Sequence, residues 1–202
     1  VQLFTHIYQL KLIPPTGIFY KKTKNKYLMH KTGKIIFVGG VHGVGKTTFA
    51  SMIKSKYSQI ESLSCSDIIK WENSAHKEVE NVGETQNKLL RNLPYFIDQD
   101  KNYILDGHFC LLTEHGGIER VPIEVFETMS PSMIVVLKEE PNVICQRLNQ
   151  RDSHIYSLEL ITEFQRKEII YAKEVADTLG VPLEVCNSTN RKNVILSVLG
   201  SF

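Results

Sequence analysis

The sequence predicts an α/β fold of three layers, a parallel sheet with helices on both faces. Three observations carry that reading. Strand-like and helix-like stretches alternate about five times, the order that crossover connections require. A glycine-rich stretch, FVGGVHGVGKTTFA at 37–50, joins an apolar run to a helical pattern. The run MIVVL at 133–137 has no polar face, as expected of a strand covered from both sides.

Lys34–Val38 reads as the first core strand, an apolar run ending at glycines. Thr47–Tyr57 follows as a helix, with Phe49, Met52, Ile53 and Tyr57 at helical spacing. IESLSC at 60–65 reads as a second strand. Ser66–Trp71 reads as a helical start with Ser66 as its cap. Glu84–Gln99 is helix-like, and Pro94 must kink or split it because proline lacks the N–H and crowds the preceding turn. YILDGH at 103–108 is a strand ending in a loop. Pro122–Thr128 suits a helix with proline in its first turn. After MIVVL, Pro141–Asn149 and Ser157–Leu179 read as helices, the second closed by Gly180. PLEVC at 182–186 is the last strand and Val194–Leu199 a closing helix. Ligands of such sheets bind at the carboxyl ends of the strands. The glycine loop, the DGH segment and the segment after MIVVL all fall on that edge.

A length of 202 residues suits one domain with a full core. Apolar residues make up 42% and charged residues 23%, and no apolar run nears the roughly 18 residues of a membrane helix. The first residues show no signal-peptide pattern. Cys65, Cys110, Cys145 and Cys186 are far apart and form no C-x-x-C pair, which disfavours a zinc site or disulfide framework and favours a reducing, cytoplasmic setting.

The net charge of +2 conceals an asymmetry: ten lysines precede the first acidic residue, Glu61, so residues 1–60 carry +10 and the remainder −8. Two readings are open for this segment, a solvated lysine-rich lead-in and a contact for nucleic acid or protein. Met29 opens the stretch MHKTGKIIFVGG, so residues 1–28 are expected to be a basic lead-in or linker outside the core, and 29–202 the domain. Loss of folding on deleting Val1–Leu28 contradicts that division. No membrane partner is expected.

Residues 40–47 match G-x-x-x-x-G-K-[ST]. In such a loop glycines turn backbone N–H groups inward around phosphate oxygens, and the following helix aims its positive end at the same point. Gly40, Val41, His42, Gly43, Val44, Gly45, Lys46, Thr47 and Thr48 are thus the candidate ATP-binding residues, with His42 expected to point outward. Lys46 has the reach for β- and γ-phosphates and Thr47 the hydroxyl for Mg²⁺. Asp106 ends a strand facing the loop. It reads either as a carboxylate holding a water on Mg²⁺ or as a turn residue before Gly107.

Three further clusters point to a second substrate: Ser66-Asp67 before a helix, Gln86 with Arg91 on the stretch 84–99, and CQRLNQRD at 145–152. Arg147 and Arg151 stand four apart, on one face of a helix, where two guanidinium groups can neutralise a transferring phosphoryl group; a salt-bridged surface is the bland alternative. The segment QRDSHIYS then breaks the helical pattern as a short lid would, at about 149–157. Trp71 reads as packing, His76, His115 and His154 share no ligand spacing, and Glu163 and Glu168 are expected to face solvent or pair with Lys167.

From about Lys34 to Cys186 the chain resembles nucleoside monophosphate kinases of the P-loop superfamily, closest to the archaeal-type adenylate kinase branch. The resemblance rests on GGVHGVGKTT, ILDGHFCLLT, MIVVL with the proline after it, RLNQRD and the long helix ending at GVPLEVCN. It implies a three-layer P-loop kinase fold with a five-stranded parallel sheet, helices on both faces and a small lid. It implies ATP with Mg²⁺ as donor and a nucleoside monophosphate as acceptor. Lys46, Arg147 and Arg151 would be catalytic, Asp67, Gln86, Arg91 and His108 would meet the acceptor, and Thr47 and, through water, Asp106 would hold the metal. The sequence departs from the family where an arginine usually clamps the acceptor phosphate: HFCLLTEHGG has none before Arg120. His108 reads equally as a phosphate ligand or as a loop hydrogen-bond partner. The expected function is ATP-dependent phosphoryl transfer to a small acceptor. A nucleotide-gated ATPase or interaction module is the alternative, and a polynucleotide 5′-kinase a third.

Overall fold

The computed structural model describes residues 21–23, 26–28, 33–70, 82–113, 116–152 and 155–202. Most of the basic lead-in lies outside the described residues, as do Trp71, His76, His115 and His154. Within the lead-in, β1 (Lys21–Thr23) and β2 (Lys26–Leu28) pair antiparallel, a hairpin the sequence pattern does not announce.

The core alternates as expected. β3 (Ile35–Gly39) leads into α1 (Lys46–Lys56), β4 (Ile60–Ser64), α2 (Cys65–Lys70) and α3 (Val82–Asn92). β5 (Asn102–Asp106) follows, then the short strands β6 (Cys110–Leu112) and β7 (Ile118–Arg120), α4 (Ile123–Met129) and β8 (Met133–Leu137). α5 (Pro141–Arg151), α6 (Leu158–Leu179), β9 (Leu183–Cys186) and α7 (Arg191–Gly200) complete the chain. The five core strands are all parallel, in the order β4-β5-β3-β8-β9. α1 packs with α7, and α6 with α4 and α5, so helices cover both faces. The central strands β3 and β8 are buried along their whole length, each large aliphatic side chain there contributing about 1.5–3 kcal/mol by leaving water.

Local chemistry explains the boundaries. Pro94 does split its helix: α3 stops at Asn92 and a 3₁₀ turn, Leu93–Tyr95, follows. Ser157 caps α6 by accepting the Leu160 N–H at 3.1 Å, and Gly180 ends it in the left-handed region at φ 66°. Ser66 is not the cap expected of it. α2 already begins at Cys65, and the Ser66 hydroxyl lies 2.9 Å from that of Ser64.

The antiparallel β6–β7 ribbon is the second feature the sequence pattern leaves unannounced. Three residues of α6, spaced three apart, fasten it. Glu168 accepts the Phe109 and Cys110 N–H groups, Tyr171 donates its hydroxyl to the Val121 carbonyl at 2.7 Å, and Glu174 pairs with Arg120 at 2.6 and 2.9 Å. Phe37, Phe109 and Phe126 interlock beneath it with ring centroids 5.1–5.4 Å apart. This packing fixes the β5–β6 turn, which carries His108.

Candidate active site

The loop between β3 and α1 has the form the sequence predicts. Gly40, Gly43 and Gly45 take φ values of 141°, 76° and 104°, which side-chain-bearing residues adopt only at a cost. Gly45 caps α1 without a side-chain hydrogen bond, and no acidic residue sits in the first turn. The helix therefore keeps free N–H groups and its positive end for an anion. Lys46 Nζ turns back and donates to the carbonyl oxygens of Gly40 at 2.7 Å and Val41 at 3.3 Å.

A cavity of about 720 Å³ opens from this loop. Its wall includes the loop from His42 to Thr48 with Arg147, Arg151 and Arg191, together with Asp106 and His108. Gln86 and Leu89 of α3, Leu111, and Val125, Phe126 and Met129 of α4 line it too. Four cations, Lys46 and the three arginines, thus share the wall, a field suited to a polyphosphate.

The environment of each ionisable group follows from burial and neighbours. Burial lowers the Lys46 pKa, and Glu168 and Asp106 oppose that shift. Burial raises the Asp106 pKa, while Lys46 and the Ser64 hydroxyl pull it back. His108 is held well below the ordinary histidine range by burial and by Lys46. His42 is exposed by surface area, yet its ring lies 4.1 Å from that of His108. Burial, then His108, Lys46 and Arg151, lower its pKa, and Glu168 opposes the shift. The outward pointing expected of His42 is therefore half right.

Arg147 and Arg151 both reach the cavity from α5. Arg147 donates to the Gly43 carbonyl at 3.2 Å and pairs with Glu139 at 3.5 Å, bracing the loop. Gln165 in turn holds the Glu139 backbone with two hydrogen bonds of 3.0 and 2.9 Å. Arg151 grips Asp152 through Nε and Nη2, and Tyr156 donates to the same carboxylate.

The acceptor-side candidates divide. Gln86 and His108 line the cavity; Asp67 and Arg91 do not. α2 buries Cys65 and Ile68, which turns Asp67 outward and leaves Ser66 on the wall. Arg91 sits about 140° round α3 from Gln86, on its exposed face. Arg120 is occupied by Glu174 and stacks 4.5 Å over the Tyr171 ring, away from the cavity.

Residues 39–163, more than half of the chain, match the family described as AAA domain. The chain belongs to that family. Named relatives place this AAA-domain protein near archaeal adenylate kinases, as its motifs imply. A Pyrococcus abyssi protein whose name proposes an adenylate kinase is 30% identical over 141 residues, covering 68% of this chain and 65% of that protein. An adenylate kinase of Pyrococcus horikoshii is 28% identical over 145 residues, covering 65% of this chain and 74% of its own length. The chain thus spans just under two thirds of the first of these relatives. Among solved structures, a gluconokinase from Sinorhizobium meliloti 1021 superposes with a TM-score of 0.49 and 12% identity, covering 85% of this chain and 93% of that one.

Two residues of the AAA-domain site escape the sequence reading. Arg191, at the start of α7, lines the cavity with its Nε buried and without a hydrogen-bond partner; its place just after the last strand is the signal. Glu168 was expected at the surface and is instead fully buried. Its spacing from Ile161, Phe164, Tyr171 and Val175 puts it on the apolar stripe of α6, which is the signal for it. Glu163 does face solvent, paired with Arg166 and Lys167.

The donor set fits Mg²⁺. That ion keeps mostly water and phosphate oxygens and asks a protein for one or two oxygens. Thr47 and Asp106, both on the cavity wall, offer a hydroxyl and a carboxylate. Among the described residues, no cluster of three His, Cys, Asp or Glu could hold a metal by itself. No described helix is long and apolar enough to cross a membrane.

Proposed function

We propose that this protein transfers the γ-phosphoryl group of ATP, with Mg²⁺, to a small acceptor bound in the same cavity. One observation carries the reading. The cavity is walled by more than the phosphate loop and its cations: Gln86 and Leu89 of α3, Leu111, and Val125, Phe126 and Met129 of α4 line it as well. That further wall is room for a second substrate.

In this scheme Lys46 leaves the loop carbonyls for the β- and γ-phosphates. Arg147 steadies the loop, and Arg151 leaves Asp152 to neutralise charge on the transferring group. Thr47, and Asp106 through a water, would hold Mg²⁺, and the ion would supply positive charge at the phosphates. Positioning and charge neutralisation supply most of the catalysis. Gln86 and His108 meet the acceptor. The names of the archaeal relatives support a nucleoside monophosphate as the first acceptor to try. Four free, buried cysteines support a reducing, cytoplasmic setting.

The test follows ADP formation from ATP and Mg²⁺ without acceptor, then with AMP, dAMP, CMP, UMP, GMP and dTMP. The proposal expects acceptor-dependent turnover that Lys46→Ala abolishes. Hydrolysis that no acceptor alters would favour the nucleotide-gated ATPase instead. Absence of any Lys46-dependent turnover would sink both.

A further inference from the structure

Lys46 donates to two loop carbonyls, and both belong to buried residues, Gly40 and Val41. A buried carbonyl needs a donor. When Lys46 leaves for the ATP phosphates, each carbonyl must have a second donor or be stranded. Val41 has one within the loop: the Val44 N–H donates to its carbonyl at 3.3 Å. For Gly40 no loop N–H does the same among the described residues. Its second donor is the His108 ring, which hydrogen-bonds the same carbonyl.

The surroundings of the ring show which nitrogen is used. Nδ1 lies 3.3 Å from Glu168 Oε1, and Glu168 is itself pinned by the Phe109 and Cys110 N–H groups. Nε2 is at the opposite end of the ring, 3.4 Å from Lys46 Nζ, which stands 2.7 Å from the Gly40 carbonyl oxygen. Nε2 therefore carries the proton that reaches Gly40. The ammonium and the imidazole stand side by side as two donors on one oxygen, whose two lone pairs can take both. The loop is held from another side by Arg147, which donates to the Gly43 carbonyl at 3.2 Å.

We infer that His108 is a positioning residue of the phosphate loop: it keeps the Gly40 carbonyl partnered when Lys46 turns to the nucleotide, and Glu168 fixes its ring for that task. This rests on the phosphoryl-transfer reading and assigns one step of it. Lys46 moves without stranding a buried oxygen. Gly40, at φ 141°, keeps the backbone turn that aims the following N–H groups at phosphate. With both ring nitrogens engaged, His108 turns ring carbon to the cavity, so an acceptor meets it through van der Waals contact.

Calorimetric titration of the intact chain with ATP and Mg²⁺ tests this. His108→Leu has no donor and should weaken ATP binding by about 10–100-fold, the cost of stranding a buried carbonyl. His108→Gln keeps an amide donor and should lie between His108→Leu and wild type. The Lys46→Met background separates positioning from damage. There the Gly40 carbonyl lacks the lysine with and without ATP, so adding His108→Leu should weaken binding no further. Glu168 loses its His108 contact in both backgrounds alike, and that effect cancels.

Equal losses of affinity in the two backgrounds would mark a merely structural histidine and overturn the inference. So would wild-type ATP affinity in His108→Leu, and either result leaves the phosphoryl-transfer reading standing. A wild-type protein that binds no ATP defeats both. Nitrogen NMR of the histidine rings decides the case if His108→Leu does not fold or Lys46→Met binds too weakly to titrate. His108 Nε2 should carry its proton in the free wild-type protein and keep it with ATP and Mg²⁺ bound; a bare Nε2 in either state overturns the inference.

Discussion

The Oε1 of Glu168 lies 3.3 Å from Nδ1 of His108, sixty residues away along the chain, and the other oxygen of the same carboxylate holds the Phe109 N–H at 3.0 Å. One buried side chain of α6 therefore anchors the turn that carries Asp106 and His108 to the phosphate loop. It joins the layer that covers β8 and β9 to the edge where the chemistry is proposed.

Glu168→Ala removes that anchor and leaves the Phe109 and Cys110 N–H groups without their carboxylate in the interior. The variant should lose about 3–5 kcal/mol of stability, the cost of stripping one member from a buried charged network. Urea unfolding measures it. A loss within the scatter of surface substitutions would show that the turn holds itself.

Lys46 illustrates the reverse trade. Its ammonium group is buried beside two carbonyls, and burial depresses its pKa. Lys46→Met should lower turnover on the order of 10²-fold or more while holding or raising the melting temperature, because a desolvated charge is removed. A fall in both would mark Lys46 as a structural residue.

Arg151 reaches the cavity but is held by Asp152. If it engages the transferring group only as the reaction proceeds, Arg151→Ala should leave the ATP dissociation constant near wild type and reduce kcat. Parallel losses in binding and turnover would make it a simple binding residue.

His42 predicts a pH dependence with a definite sign. Its folded pKa is depressed, chiefly by burial and then by His108, Lys46 and Arg151. Below the ordinary histidine pKa of about 6.5 the unfolded chain takes up a proton that the folded loop refuses. This contribution to stability is present above that pKa and is lost as pH falls toward the folded value. His42→Gln lacks the liability. The melting temperature of the variant relative to wild type should rise between pH 7.5 and pH 5 (conditions chosen to span the window of about 6.5); a difference that stays flat with pH would contradict the assignment.

The elements that were legible in the sequence share one property: neighbouring residues determine them. MIVVL is a buried strand because each residue is apolar. The 40–47 loop is legible because glycine spacing dictates its backbone. Pro94 ends a helix through its own ring. What was not legible depends on distant partners. The β6–β7 ribbon is three residues a side and is held by α6, fifty or more residues later. Asp67 and Arg91 have suitable chemistry, but small differences in helix phase turn them from the cavity. Glu168 looks like an ordinary surface carboxylate until Phe109 and Cys110 come to meet it; only the apolar stripe on which it stands gives it away.

The measurement closest to the central claim follows the γ-phosphate itself. ATP carrying a label in that group would be incubated with the protein, Mg²⁺ and the pooled nucleosides and nucleoside monophosphates, and the label separated into ATP, inorganic phosphate and phosphorylated acceptor. The account predicts label in a phosphorylated acceptor, lost in Lys46→Ala. Label that stays in ATP, or that moves equally with Lys46→Ala, would contradict it.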